Sequence, residues 1–440
     1  MGRLFGTDGI RGLAGTELTA ELAMKLGAVL GDLLPDKAGA VLLARDTRRS
    51  GAMLAQAIAA GLMSVGVDVT DLGILPTPAV AYLVQKNAAA AGVMITASHN
   101  PADYNGIKIF GADGRKLPDA VEDSIESHLL RGNFCAHTDI GSVRTLPDPA
   151  AQYGAHLRTQ TAQSFHGLRL ALDCANGAAS RTAEALFTSL GAEVLVLGDT
   201  PDGENINKDC GSLHPERLQE LVLAEHCAAG FAFDGDADRV LAVDERGALV
   251  DGDGILALCA LDMQARGALT ADTLVATVMS NFGLGVFCRA HGIALRTTDV
   301  GDRWVSDAMH AGGYALGGEQ SGHIIIGRGV GDGQRTAVTI VDIMVRTGQS
   351  LSALADVMEH YPQVLVNIPV SLMGKARLRD DAVIAEAVAE AEQLLGEEGR
   401  VLLRVSGTEP LVRVMVEGRD EKQIDTIARE LESVVRAQLL

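Results

Sequence analysis

Three aspartates spaced by two residues, Asp234, Asp236 and Asp238, follow an apolar run that ends at Phe233. On an extended segment, residues two apart point to the same side, so the three carboxylates would converge. Carboxylate oxygens suit Mg²⁺ or Ca²⁺, which are hard cations. An EF-hand is a poorer match, because Arg239 stands where that loop requires glycine and both flanks have strand-like patterns. The segment is therefore interpreted as a divalent metal site, with a solvated acidic turn as the alternative.

The next candidate residue is Ser98, which lies in a polar loop directly after an apolar run at residues 92–96. Its hydroxyl could act as a nucleophile or could hydrogen-bond within a turn. A hydrolase is disfavoured, because G-x-S-x-G is absent and His99 is too close along the chain to be its base. A phosphate on Ser98 would carry about -1.5 to -2 charges and would need a counter-charge. A metal held by the aspartates would supply this counter-charge, so the serine loop and the aspartate loop are consistent with one shared site.

Two further polar segments have compositions that suit a sugar phosphate. Glu319 lies in a glycine-flanked loop with Ser321 and His323, and its carboxylate could accept hydrogen bonds from two adjacent sugar hydroxyls. An ordinary glycine-rich turn is the alternative. Residues 404–410, with Arg413 beyond them, offer hydroxyls, backbone N–H groups and two guanidinium groups, which suit a phosphate. A plain surface hairpin is the alternative for that segment.

These polar segments follow predicted strands. Apolar, β-branched runs alternate with helical patterns in three successive series, which is typical of βαβ units. In each series the last predicted strand leads directly into a polar loop. The strands at residues 92–96, 230–233 and 314–316 precede the loops that contain Ser98, the three aspartates and Glu319. Because ligands of open α/β sheets bind beyond the carboxyl ends of the strands, we expect the three loops to contribute to one site.

The C-terminal part has a different pattern, in which strands and two helices form a small α+β domain. We therefore predict an α/β protein with three consecutive α/β domains of βαβ-type mixed sheets, plus a smaller C-terminal α+β domain, around a central cleft. The predicted domains cover residues 1–148, 149–250, 251–362 and 363–440.

The composition excludes several classes of partner. The 440-residue chain carries 37 basic and 57 acidic residues, a formal net charge of -20. Such an acidic surface repels phosphate backbones and anionic headgroups, so we expect neither nucleic acid nor a membrane as a partner. The six cysteines are widely spaced and contain no C-x-x-C, which predicts neither a zinc site nor a disulfide framework. The N-terminal residues lack the apolar segment of a signal peptide, so we predict a cytoplasmic protein.

Four ordered motifs resemble those of the α-D-phosphohexomutase superfamily, and the resemblance covers essentially the whole chain. They are a serine loop, an aspartate loop, a sugar loop and a phosphate loop, at residues 96–101, 234–239, 317–323 and 404–410. Residues 5–12 and Gly407 favour the branch that acts on glucosamine phosphates, because the phosphomannomutase and phosphoglucomutase branch usually has Asn in place of Gly407.

This resemblance implies a reaction, the interconversion of glucosamine 6-phosphate and glucosamine 1-phosphate on the route to UDP-N-acetylglucosamine. The substrate would be a small phosphosugar, and a hexose 1,6-bisphosphate would serve as intermediate and activator. Ser98 would be the phosphoserine and would hold one Mg²⁺ per chain together with Asp234, Asp236 and Asp238.

The resemblance also assigns the remaining site residues. The catalytic groups beside Ser98 would be Lys108, Arg11 and His323. From sequence alone, Lys108 could equally be an exposed strand lysine. The substrate would be bound by Glu319, Ser321, His99 and Arg239. The non-reacting phosphate would be bound by Arg404, Ser406, Gly407, Thr408 and Arg413.

Two other interpretations stay open. One is a phosphomannomutase or phosphoglucomutase of the same superfamily. The other, from a different class, is a non-catalytic protein that binds a metal or a phosphosugar and in which Ser98 is inert. A homodimer is a further implication of the resemblance. The loop from His323 to Gly331 departs from the family pattern, with Val330 where threonine is common, which leaves substrate selectivity open.

Overall fold

The structure is a computed structural model that describes residues 4–6, 8–34, 39–132, 138–378, 380–405 and 411–440. It comprises two units, one made of Met1–Met279 and Ile293–Val357, and the other of Ser280–Gly292 and Met358–Leu440. None of the helices among the described residues combines the length and the apolar character that crossing a membrane requires.

The first region of the larger unit is built on a six-stranded mixed sheet with the order β1-β5-β4-β2-β3-β6. Strands β2, β3, β4 and β6 pair in parallel, whereas β5 is antiparallel to both of its neighbours. The elements are β1 (Ile10–Leu13), α1 (Ala20–Leu33), β2 (Val41–Arg45), α2 (Gly51–Ser64), β3 (Val69–Ile74), α3 (Thr77–Lys86), β4 (Ala91–Ile95), β5 (Tyr104–Gly111), α4 (Asp119–Arg131) and β6 (Val143–Thr145).

The second region has a five-stranded sheet with the order β11-β10-β9-β7-β8, in which β7, β8 and β9 are parallel and β10 runs against β9. The turn between β9 and β10 therefore lies at the carboxyl end of an inner parallel strand. The elements are α5 (Pro149–Arg158), β7 (Arg169–Asp173), α6 (Ala183–Ser189), β8 (Glu193–Leu197), α7 (Glu216–Ala224), β9 (Ala229–Phe233), β10 (Val240–Asp244) and β11 (Leu249–Val250).

The third region has a four-stranded sheet with the order β13-β12-β14-β15, in which β14 and β15 form an antiparallel pair joined by a short turn. The elements along this part of the chain are α8 (Gly252–Ala265), β12 (Thr273–Thr277), α9 (Phe282–Ala290), β13 (Ala294–Thr298), α10 (Asp302–Gly312), β14 (Leu316–Gly318), β15 (Ile324–Ile326), α11 (Gly333–Thr347) and α12 (Leu351–Ala355). Of these, α9 belongs to the smaller unit.

The smaller unit is built on a three-stranded antiparallel sheet with the order β16-β18-β17. It includes α9, because Arg400 donates a hydrogen bond to the Ser280 carbonyl and pairs with Glu417, which also accepts from the Phe282 amide at 3.2 Å. The C-terminal elements are β16 (Gln363–Pro369), α13 (Leu372–Arg377), α14 (Ala382–Leu395), β17 (Gly399–Val405), β18 (Leu411–Gly418) and α15 (Glu421–Leu439).

The predicted fold class is confirmed, with three α/β regions of mixed sheets and a smaller C-terminal α+β region. The core explains this arrangement. Strands β2 and β4 are buried along almost their whole length, as expected for inner strands that helices cover on both faces. The bounds of the four predicted domains, and the cleft that includes the C-terminal domain, stay predictions.

Helices α1 and α2 approach so closely that their contact depends on glycine. A Cβ added at Gly61 would lie 2.0 Å from the Met24 carbonyl oxygen. We expect Gly61→Ala to lower the free energy of unfolding by about 1–3 kcal/mol, because such overpacking forces the helices apart. Chemical denaturation would measure the change. Gly154 in α5, whose added Cβ would meet nothing within 4 Å, is the matched control. Gly154→Ala should stabilise the protein by about 0.4–1 kcal/mol; equal effects at both positions would contradict the packing argument.

Candidate active site

The aspartate loop turns sharply at the carboxyl end of β9. Ala237 adopts a left-handed backbone conformation, with φ of 56°. The prediction that the three carboxylates converge because the segment is extended is therefore wrong in its geometry; the turn itself brings them together. One oxygen from each of Asp234, Asp236 and Asp238 lies within 4.8 Å of the others, and all three residues are buried. Burial of three carboxylates requires positive charge among them.

Asp236 has one oxygen held by the protein and the other available to a cation. Its Oδ2 accepts hydrogen bonds from Thr77 Oγ1 at 2.5 Å and from Lys108 Nζ at 2.9 Å. Its Oδ1 is buried, and no residue of the described part of the chain donates a hydrogen bond to it. An oxygen that is desolvated and has no donor fits a ligand of Mg²⁺, which prefers carboxylate oxygens.

Lys108 is buried beneath the same carboxylates, only 1% exposed, and its ammonium lies 2.9 Å from both Asp236 Oδ2 and Asp238 Oδ2. Burial opposes its charged form, but Asp236, Asp238 and Asp8 outweigh that effect and raise the pKa of Lys108 well above its usual value. The exposed-strand alternative for this lysine is therefore wrong. Because β5 pairs with β4, the lysine reaches the site from the strand beside the serine loop.

Ser98 faces this cluster from the end of β4. It is only 1% exposed, and its Oγ donates a hydrogen bond of 2.6 Å to Asp234 Oδ2. Its φ of 51° is the left-handed conformation, which costs a non-glycine residue free energy and is typical of functional sites. The two loops touch directly, since a Cβ added at Gly235 would lie 2.6 Å from the Ser98 carbonyl oxygen. The predicted union of the serine and aspartate loops is thus present.

His99 and Arg11 flank the serine. His99 Nδ1 lies 3.4 Å from Ser98 Oγ. Burial, with the positive charges of Arg239 and Arg11, lowers the pKa of His99 to about 4, so its imidazole is neutral at pH 7. Arg11 donates to Asn100 Oδ1 at 3.3 Å and pairs with the carboxylate of Asp8. The structure therefore places both residues at the serine loop.

The sugar-loop candidates lie in the turn between β14 and β15. Glu319 is buried and accepts a hydrogen bond from the Gly301 amide at 3.1 Å, whereas Ser321 is exposed. His323 stands with Nδ1 at 3.7 Å from Asp238 Oδ1 and Nε2 at 3.7 Å from Asp302 Oδ2. Burial opposes protonation of His323, but the neighbouring carboxylates outweigh it and raise its pKa. His323 thus connects the sugar loop with the aspartate loop.

Arg239 is the last residue of the aspartate loop, and its positive charge offsets the negative charge of the same carboxylates. Its Nε lies 3.9 Å from Asp238 Oδ1. Burial disfavours the charged guanidinium, but Asp238, Asp234 and Glu319 outweigh this and raise its pKa further above the normal range. Arg239 therefore stays charged between the aspartates and Glu319, which suits the predicted contact with a phosphosugar.

A buried ion network that the sequence analysis missed continues from Lys108. Asp8 Oδ2 lies 3.3 Å from Lys108 Nζ, and Asp8 Oδ1 lies 2.5 Å from Lys116 Nζ. Lys116 also pairs with Asp302 Oδ2 at 2.6 Å, which joins the first region to the start of α10. Burial would raise the pKa of Asp8, but Lys108, Lys116 and Arg11 hold it well below its usual range. Only Asp8 had a sequence signal, since it lies inside the motif at residues 5–12.

In the smaller unit, Arg404 on β17 stands directly opposite Arg413 on β18. Burial and the positive charge of Arg413 lower the pKa of Arg404. Its Nε is buried and donates no hydrogen bond to any residue that the structure describes. Two like charges directly opposite across a sheet repel each other, so the pair suits an anion that bridges them. Ser406, Gly407 and Thr408 lie outside the described residues.

Comparisons with known proteins show the family to which the chain belongs. Four family models match in order, namely phosphoglucomutase/phosphomannomutase alpha/beta/alpha domains I, II and III, at residues 2–135, 151–247 and 251–361, and the C-terminal domain at 365–434. A protein of this family from Burkholderia thailandensis has a solved structure with a TM-score of 0.85 and 27% identity, covering 99% of this chain and 97% of that one. The chain therefore belongs to the phosphoglucomutase/phosphomannomutase family, whose members are phosphohexomutases.

Its place within the family follows from full-length relatives. The chain is 50% identical over 449 residues to the phosphoglucosamine mutase of Symbiobacterium thermophilum, with all of both chains covered. Within the family, the chain therefore belongs with the phosphoglucosamine mutases, which are isomerases.

A more distant structure shows the same fold. The N-acetylphosphoglucosamine mutase of Aspergillus fumigatus, solved in complex with GlcNAc-6P and magnesium, aligns with a TM-score of 0.73 at 17% identity and covers 99% of this chain and 96% of that one. A serine-to-alanine variant of the fungal protein has also been solved in complex with glucose 1,6-bisphosphate.

Proposed function

We propose that the chain interconverts glucosamine 6-phosphate and glucosamine 1-phosphate by transferring a phosphoryl group from phosphorylated Ser98 to the sugar and a second one back. The intermediate is the 1,6-bisphosphate of the amino sugar, and hexose 1,6-bisphosphate activates the protein by phosphorylating Ser98. One observation carries this proposal, the 2.6 Å hydrogen bond from Ser98 Oγ to Asp234 within a buried aspartate triad. The reacting oxygen and the metal-binding carboxylates thus share one site.

The donor set fits one Mg²⁺. Asp234, Asp236, Asp238 and the phosphate on Ser98 would hold the ion. When bound, it neutralises charge on the transferring phosphoryl group and orients its oxygens. The unpartnered, buried Oδ1 of Asp236 supports this assignment, and so does the magnesium in the complex of the fungal relative.

Lys108, Arg11 and His323 are the proposed catalytic groups. Lys108 is held in its charged form, so it can donate a proton to a bridging oxygen or offset charge on the transferring phosphoryl group. The guanidinium of Arg11 lies at the serine loop through Asn100. His323 is positioned by Asp238 and Asp302 and can move a proton near the third loop.

The sugar and its non-reacting phosphate are bound by separate groups in this proposal. Glu319, Ser321, His99 and Arg239 bind the sugar. The carboxylate of Glu319 accepts hydrogen bonds from its hydroxyls. Arg404 and Arg413 bind the non-reacting phosphate together with residues 406–408, and the direct opposition of the two arginines supports this. A solvent-excluded site would protect phosphoserine and bisphosphate from hydrolysis.

A ³¹P NMR time course tests the proposed function. Purified protein is incubated with Mg²⁺, a trace of hexose 1,6-bisphosphate and glucosamine 6-phosphate, and parallel samples contain mannose 6-phosphate or glucose 6-phosphate. We expect fast formation of glucosamine 1-phosphate and slow conversion of the other two sugars. Faster conversion of mannose or glucose 6-phosphate would instead show a phosphomannomutase or phosphoglucomutase. Conversion of none of them by Ser98-phosphorylated protein would show a binding protein.

Replacement of Arg404 separates phosphate binding from folding. Arg404→Gln should raise the KM for glucosamine 6-phosphate by about 10- to 100-fold, the value of a hydrogen bond to a charged group. The melting temperature should not fall, because the change removes the repulsion between Arg404 and Arg413. Steady-state kinetics and thermal unfolding measure the two quantities.

The matched control for Arg404 is Arg429→Gln, on the exposed face of α15, where the arginine pairs only with Asp425 among the contacts found for it. Arg429→Gln should leave the KM for glucosamine 6-phosphate unaltered. If Arg404→Gln had the same KM as this control, Arg404 would not bind the non-reacting phosphate.

Other expectations remain predictions. They are a cytoplasmic location, a homodimer, and the absence of nucleic-acid and membrane partners. The net charge of -20 continues to support the last of these.

A further inference from the structure

A buried arginine, Arg48, contacts the backbone of the serine loop. Arg48 follows β2, is 2% exposed, and its five N–H groups all have acceptors. Nε donates to Asp46 Oδ2 at 2.9 Å. The two terminal nitrogens donate to four backbone carbonyls. Three are in the serine loop, Ser98 at 3.0 Å, Asn100 at 2.8 Å and Pro101, and the fourth is Tyr104 at the start of β5, at 3.0 Å.

A second side chain contacts two of the same carbonyls from the second region. Asn207 Nδ2 donates to the Ser98 carbonyl at 2.9 Å and to the Asn100 carbonyl at 3.1 Å. Each of these two carbonyls therefore accepts one hydrogen bond from Arg48 and one from Asn207. Donors from two regions of the larger unit thus converge on the backbone of the residue that carries the reactive oxygen.

The left-handed conformation of Ser98 explains why such support is needed. With φ at 51°, its carbonyl points toward Arg48 and Asn207 while its Oγ points toward Asp234. Left alone, a serine would relax toward a more common backbone conformation. That rotation would carry Oγ away from Asp234, because the hydroxyl and the carbonyl share one backbone unit.

We propose that Arg48 is the positioning residue of the phosphoryl-transfer step, and that it acts with Asn207 by holding the Ser98 carbonyl so that Oγ stays aligned with the aspartate loop. The inference rests on the proposed function, since it assumes that Ser98 carries the transferred group. Among the described residues, the side chain of Arg48 donates its hydrogen bonds to Asp46 and to four backbone carbonyls, and to none of Asp234, Asp236 and Asp238. Its loss should therefore slow transfer and leave sugar affinity unchanged.

Lysine cannot replace this arginine. An ammonium has three donors at one point, whereas the guanidinium reaches five acceptors, the Asp46 carboxylate and four separate backbone carbonyls. Arg48→Lys nevertheless keeps the positive charge beside Asp46, so the buried carboxylate stays paired. The neighbouring Arg49 is an exposed arginine whose ion pair with Glu204 lies at the surface, and Arg49→Lys is the matched control.

The test separates transfer from binding. Protein phosphorylated at Ser98 is mixed with glucosamine 6-phosphate, and bisphosphate formation is followed by rapid quench; the dissociation constant of the sugar phosphate is measured by calorimetry on unphosphorylated protein. For Arg48→Lys we expect transfer to be slower by about 100-fold, the usual cost of misplacing a reacting atom by about 1 Å. The dissociation constant should change by less than about twofold, and Arg49→Lys should match the wild type in both measurements.

A second variant guards against failure of the first to fold. Asn207 has φ of 57°, a conformation that glycine adopts without strain, so Asn207→Gly removes only the amide. It should slow transfer by about 10-fold, again without weakening sugar binding. Transfer at the wild-type rate in both variants would overturn the positioning role. Wild-type protein that transfers no phosphoryl group would instead overturn the proposed function.

Discussion

Replacement of Ser98 by alanine should lower the rate of sugar-phosphate interconversion by about 10⁴-fold or more, because no other group can carry the phosphoryl group between the two sugar positions. The fold should survive. The change removes one buried hydrogen bond, from Oγ to Asp234, which contributes about 0.5–1.5 kcal/mol. Coupled kinetics would measure turnover, and circular dichroism with thermal unfolding would measure folding.

The control for this variant is Ser189→Ala at the end of α6, where the hydroxyl donates only to the Leu186 carbonyl, at 2.7 Å. It should keep full activity. A second readout does not depend on turnover. After incubation with hexose 1,6-bisphosphate, peptide mass spectrometry should find phosphate on Ser98 of the wild type. The Ser98→Ala variant should carry no phosphate on any residue. Full activity of Ser98→Ala would overturn the phosphoserine mechanism and, with it, the proposed function.

Much of the fold could be predicted because the strands are short, β-branched and separated by clear helical patterns. The direction of β5 could not, since an apolar strand carries no information about whether its partner is parallel. Strand β14 was predicted at residues 314–316 but covers Leu316–Gly318. Two of its residues are glycine, which has low strand propensity, and pairing with β12 and β15 overrides that preference. The pattern of α1 is regular enough that a helix could have been predicted there.

The site was predictable to the extent that its residues follow strands. Ser98, Asp234 and Glu319 follow the carboxyl ends of β4, β9 and β14, which is where ligands of open α/β sheets bind. These strands belong to three different sheets, so the packing of the three regions decides how the loops meet. The left-handed turn at Ala237 had no signal, because alanine rarely adopts that conformation. Lys116 and Asp302 were missed for another reason: they are 186 positions apart, and only the packing of the first region against the third brings them together.

Arg48 shows where sequence reasoning stops most clearly. Arg48 lies just after β2, in the same position relative to a strand as the site loops, and this position could have marked it as a candidate. Its partners, however, are backbone carbonyls, which have no identity in the sequence. Which arginine of the pair Arg48 and Arg49 is buried depends on the turn after β2, and the structure alone decides it.

Loss of one aspartate should have the second-largest effect, because it removes both a charge and a ligand. Asp236→Asn should weaken Mg²⁺ binding by about 100-fold or more, beyond the 10- to 100-fold typical of residues that merely support a ligand. The amide can still accept from Thr77, so the local fold is retained while the negative charge opposite Lys108 is lost. Calorimetric titration with Mg²⁺ gives the affinity directly, and chelation of the wild type should abolish turnover reversibly.

Thermal unfolding gives an independent measure of the same site. A ligand that binds only the folded state at 100 times its dissociation constant stabilises a protein by about 2.7 kcal/mol, so Mg²⁺ should raise the melting temperature of the wild type. The same concentration should leave Asp236→Asn almost unchanged. Asp209→Asn is the control, since this exposed aspartate has φ of 51°, which asparagine also adopts readily. Equal Mg²⁺ titrations for Asp236→Asn and the wild type would mean that the ion binds elsewhere, and that the triad balances Lys108 alone.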